Sequence, residues 1–119
     1  MNDISTQIAQ AENEIEAAGE AIKLHEAFTR LKKNPDFKLL IEKEYMNDEA
    51  IRCLGMSADM SMDQRQRADH LAMAQATGHL RRFLIFIDQM GRVALKTVSQ
   101  HEELLNELRA EEDTGSQEQ

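Results

Sequence analysis

Four histidines, at 25, 70, 79 and 101, and one cysteine, Cys53, are the side chains of this 119-residue chain best suited to hold a metal or attack a substrate. Di-iron helical bundles use Glu-x-x-His, and none of these histidines has a Glu three residues before it. His25-Glu26 and His101-Glu102 lack the second His of a zincin helix. A lone cysteine can build neither an intramolecular disulfide nor a thiolate cluster, fits a reducing compartment, and on a helix reads as a small buried hydrophobe. Asp59-x-Ser61-x-Asp63 copies the opening of a calcium loop. Gln64, however, stands where that loop needs its sharp-turn Gly, and His70 where it needs its bidentate Glu. There is no Gly-rich phosphate loop and no G-x-S-x-G elbow. The acidic pairs Glu102-Glu103 and Glu111-Glu112 are neighbours on a helix surface, not carboxylates posed across a cleft. These residues point to no reaction, so the chain is expected to be non-enzymatic, without cofactor or metal. His25 and His101 suggest another use: both fall on helix seams, and in an antiparallel hairpin they would meet as a layer titrating near neutral pH.

The elements that carry these residues are helical. One Pro and five Gly are too few for a turn-rich β chain, and 41% hydrophobic residues are too many for a disordered one. Ile4, Ile8, Ala11, Ile15, Ala18, Ile22 and His25 alternate in spacings of three and four, a heptad seam over a helix at about 4–32. Beyond Ile22 the stripe drifts to Leu24, Phe28 and Leu31. Asn34-Pro35-Asp36 is a start signal, with Asn34 capping and Pro35 at the first helical position. The helix it opens spans 35–54, with Phe37, Leu40, Ile41, Tyr45, Ile51 and Leu54 inward and Gly55 as its C-terminal cap. Ser61 and Gln64 fit a capping box that opens a third helix over 62–112. Its expected seam is Met73, Ala76, Leu80, Phe83, Ile87, Met90, Ala94, Thr97, His101, Leu104 and Leu108, with Gly78 and Gly91 as bends or close-packing points. About fifty residues at 1.5 Å each make a rod of roughly 75 Å. Residues 113–119 read as a disordered acidic tail. The expected architecture is therefore all-α, a single helical domain over 1–112. It has two shorter helices and one very long C-terminal helix in an elongated hairpin or coiled-coil-like bundle.

The net charge is −8, but residues 1–30 hold six acids and two bases and 101–119 seven acids and one base, while 31–100 hold nine acids and eleven bases. Acidic ends thus flank a mildly basic centre. Too few clustered Lys and Arg are present to displace counterions from phosphates, which argues against nucleic acid as a partner. Glu49 to Ser57 does resemble the first helix and turn of a helix-turn-helix unit, with Gln64, Arg65 and Arg67 opening a reading helix. The connection is longer than such a turn, and the following helix is too long. The start Met1-Asn2-Asp3-Ile4-Ser5 shows no signal peptide, and the longest apolar run, Phe83 to Ile87, is far short of a membrane span. A cytoplasmic protein is expected. Five consecutive apolar residues point all round a helix, so the long helix should meet another chain. The expected interface residues are Ile8, Ile15, Ile22, Leu80, Phe83, Leu84, Ile87 and Met90.

Asn34-Pro35-Asp36-Phe37-Lys38, Glu49-Ala50-Ile51-Arg52 and Gly78-His79-Leu80-Arg81-Arg82-Phe83-Leu84 resemble stretches of small helical virion and assembly proteins of tailed bacteriophages, across residues 30–95. The resemblance carries no catalytic or binding motif. It implies a small multi-copy component of a phage particle or of its assembly, located in the host cytoplasm or the virion. The leading functional expectation is thus a self-associating, homo-oligomeric structural or assembly protein. An acidic helical adaptor or inhibitor docking on a partner protein is the alternative, and a helix-turn-helix-like DNA reader the second.

Overall fold

The computed structural model describes residues 3–118, with side-chain surroundings for 3–115. The fold is all-α, as expected, with no strand among the described residues. In order come α1 (Ile4–Lys32), α2 (Pro35–Phe37), a π-helical stretch (Lys38–Glu49), α3 (Ala50–Ser57) and the long α4 (Gln64–Glu118).

The helix starts are set by short polar side chains. Asp3 accepts from the Thr6 amide at 3.2 Å. Asn34 accepts from the amides of Asp36 and Phe37 at 2.8 and 3.1 Å, with Pro35 at the first helical position, as its sequence implies. At α4 the expected cap is corrected. Asp59 accepts from both the amide and the hydroxyl of Ser61, at 2.9 and 2.7 Å, and so removes Ser61 from capping. The box is formed two residues on: Asp63 accepts from the Gln66 amide at 2.8 Å, and Gln66 accepts from the Asp63 amide at 3.3 Å.

The second helix also differs from expectation at its end. Gly55 is not its cap, since no glycine among the described residues has a positive φ. The helix runs on to Ser57, whose hydroxyl donates to the Leu54 carbonyl at 2.6 Å, and closes at Ala58. The π-helical stretch was not legible either. Turns closed by i→i+5 bonds are wider than α turns, so the inward positions recur every four or five residues, at Phe37, Ile41, Tyr45 with Met46, and Ala50. Met46 and Cys53 are buried, while Leu40, Ile51 and Leu54, expected inward, are exposed. α4 continues to Glu118 through residues expected to be disordered. Thr114 is absorbed by donating to the Ala110 carbonyl at 2.9 Å, one turn back. Gln119 lies outside the described residues.

The chain divides into two compact units, with α4 contributing to both. The first, here the hairpin unit, joins α1 up to Glu26 to α4 from Asp88 on. His25 meets Asp88 at one end and Glu12 meets Arg109 further along, so the two helices run antiparallel. Every residue of the α1 seam from Ile4 to His25 is buried or half-buried, as its spacing implies. On α4 the seam is partly corrected: Ala94, His101 and Leu108 turn inward, but Gly91, Val98 and Leu105 do so alongside them, and Met90 and Leu104 face out. The second, the central unit, spans Ala27 to Ile87.

Candidate interaction surface

In the central unit the α4 segment 64–87 keeps only part of its expected inward pattern: Leu80, Leu84 and Ile87 are half-buried, but polar side chains also turn inward. Thr77 is buried, 3% exposed, and its hydroxyl donates to the Ala74 carbonyl at 2.7 Å. Arg67 and His70 are half-buried on the same side of the helix, and Arg67 Nε and His70 Nδ1 are buried without a hydrogen-bond partner. Arg81 reaches across to donate to the Met46 carbonyl at 3.3 Å. Several large apolar side chains take the outer side: Met73 is 49% exposed, and Phe83 and Phe86 are 57% each. Arg65, Ala72, Ala76 and Phe83 recur at spacings of seven, four and seven, and so share one exposed helix face, with Met73 and Phe86 on its flanks. Met73, Ala76 and Phe83 are thus placed opposite to the inward seam expected of them. On the inner side Arg81 satisfies the Met46 carbonyl, which a methionine or phenylalanine could not.

A shallow apolar depression lies between α3 and α4 on the same unit, lined by Ala50, Ile51, Leu54, Leu71, Ala74 and Gln75. Behind it, Arg52 donates to both oxygens of Glu49, at 2.9 Å from Nε, and the Cys53 thiol donates to Glu49 at 3.4 Å. The Arg52 guanidinium holds the Glu49 carboxyl below the usual carboxylate range. Burial, then the bond to Glu49, pushes the Cys53 thiol up. A thiol that is buried and protonated near pH 7 is a packing group, not a nucleophile.

Arg67 bears on the helix-turn-helix reading. Its Nη1 is 3.4 Å from Met60 Sδ, so the side chain folds back over the connection instead of projecting from the helix start. The connection itself occupies residues 58–63.

In the hairpin unit the two seam histidines are not a pair. His25 Nε2 is 3.2 Å from Asp88 Oδ1, and Arg92 Nε is 3.0 Å from Asp88 Oδ2. The His25 ring packs against the backbone at Gly91, where a methyl group would overlap its Cβ, Cγ and Cδ2. His101 lies elsewhere on the seam. Its Nδ1 donates to the Thr97 carbonyl at 2.8 Å, which fixes the proton on that nitrogen. One shallow groove of this unit has Ile15 and Leu105 among Glu12, Glu16, Glu102, Asn106 and Arg109, with Arg109 3.3 Å from Glu12.

Of the expected interface residues, Ile8, Ile15, Ile22, Leu80, Leu84 and Ile87 are half-buried within the chain itself, which leaves Phe83 and Met90 facing outward. Missed were Phe86, Leu71 and the Ile51–Leu54 pair, whose exposure depends on the π-helical stretch. Among the described residues no three His, Cys, Asp or Glu side chains are grouped so as to hold a metal ion. Among them, too, no helix is long and apolar enough to cross a membrane. No protein family, curated protein or solved structure matches the chain.

Proposed function

We propose that the protein is a non-enzymatic helical component that works by associating with copies of itself, in the manner of a structural or assembly protein. The observation that carries this reading is the outward apolar face of α4 in the central unit, where Phe83 and Phe86 are each more than half exposed. An aromatic side chain presents some 150–250 Å². At about 25 cal/mol per Å², covering the exposed half of each of Phe83 and Phe86 is worth roughly 2–3 kcal/mol per side chain. A monomer leaves that unused. The resemblance of residues 30–95 to small virion and assembly proteins of tailed phages supports a multi-copy role in such a particle. The buried Cys53 thiol and the separately engaged His25 and His101 support a role without catalysis.

Light scattering on a sizing column tests this reading. The wild-type chain should run as a multiple of 13.6 kDa, and Phe83→Asp and Phe86→Asp should each lower that mass. Both positions are more than half exposed, so the charge disturbs little inside the chain. If both variants keep the wild-type mass, this face is not the interface. A wild-type monomer at low and high salt would overturn self-association and leave the face to a different protein.

A further inference from the structure

The two units carry very different charge. The hairpin unit holds 14 acids and 4 bases, a formal −10, while the central unit holds 8 acids and 10 bases, a formal +2. Within the central unit, segment 64–87 has Arg65, Arg67, Arg81 and Arg82 against Asp69 alone; Arg67 is engaged at Met60 and Arg81 at the Met46 carbonyl, which leaves Arg65 and Arg82 for the exposed side. Its exposed face therefore combines arginine with Phe83 and Phe86, and needs a partner both acidic and apolar. The chain carries such a surface. In the hairpin-unit groove, half-buried Ile15 shares the lining with Glu12 and Glu16 on α1 and Glu102 on α4, while Leu105 in the same lining is buried.

We propose that the outward α4 face of the central unit docks on the acidic groove of the hairpin unit of a second copy, so that copies associate head to tail. This inference rests on the self-association reading and names its partner surfaces. A contact between two different patches is heterologous: each copy keeps one free patch of each kind, and the contact repeats until a ring closes or a filament grows. A symmetric face-to-face dimer would instead bring two positive α4 segments together, where like charges repel. A nucleic-acid partner would have to approach a chain of net charge −8.

Two double variants test the proposal, each checked for helix content by circular dichroism. Arg65→Glu with Arg82→Glu reverses the basic face, and Glu16→Lys with Glu102→Lys reverses the groove. All four residues are exposed. Each variant alone should run at 13.6 kDa. An equal mixture should associate again, because the intact face of one variant meets the intact groove of the other and the two reversed patches also carry opposite charge. Wild-type association should also weaken about tenfold or more on moving from low to high salt, as screening shortens the reach of the charges. A groove variant that keeps the wild-type mass, a mixture that stays monomeric, or a salt-insensitive wild-type oligomer would overturn head-to-tail docking while leaving self-association standing. A wild-type chain monomeric at every salt would overturn both.

Discussion

At Gly91 one missing methyl group decides how closely two helices approach. His25 occupies the space a Cβ would need, and Asp88 and Arg92 hold that end of the contact with charge. Gly91→Ala should therefore destabilise the fold by about 1–3 kcal/mol, the range for overpacking a close contact. Gly78→Ala, with nothing within 4 Å of the added methyl, should be neutral or stabilise by up to about 1 kcal/mol through helix propensity. Thermal unfolding followed by circular dichroism separates the two, and equal shifts would discredit the close-contact reading. The sequence marks both glycines as bends or close-packing points. It cannot rank them, because the difference lies in a residue 66 positions away on another helix. The cap at Asn34 was legible for the opposite reason: donor and acceptor are within three residues.

At the scale of the element, periodicity identifies each helix more reliably than its orientation. The α1 seam follows its spacing because its large apolar residues, Ile4, Ile8, Ile15 and Ile22, have no large apolar neighbour one position away. On α4 the pairs Thr97–Val98 and Leu104–Leu105 offer two adjacent registers, and spacing alone does not choose between them. Packing against α1 chooses the register that includes Gly91. In segment 64–87 the pattern is followed only in part: Leu80 and Ile87 turn inward, while Thr77 is buried and Met73, Ala76 and Phe83 stay exposed. The start of α4 was misassigned by two residues, since Asp59 competes for Ser61. Hence Asp63→Ala should cost about 1 kcal/mol of stability, and Ser61→Ala distinctly less. Urea unfolding of the two variants measures this. A larger loss at Ser61 would return the cap to the position its sequence first implies.

For the whole molecule, an association that recognises only folded chains must also stabilise them by mass action. A hundredfold rise in protein concentration then adds about 2.7 kcal/mol at one saturable interface. That corresponds to a Tm increase of roughly 10 °C for a chain of this size. A Tm that stays flat over that range would count against self-association regardless of which surface is involved. The all-α class and the acidic–basic–acidic distribution of charge were legible from composition and period. The outward apolar face was not, because exposure depends on what the inner side of α4 meets. One further consequence concerns time. The hairpin unit is assembled from segments that lie before and after the central unit in the chain. Synthesis proceeds at about 5–20 residues per second, so the 61 intervening residues delay pairing by roughly 3–12 s. A helix of this length forms in about a microsecond. The isoleucine stripe of α1 therefore emerges from the ribosome complete and unmatched, and during those seconds the nascent chain is the form most exposed to chaperones, proteases and stripes on neighbouring nascent chains of the same message.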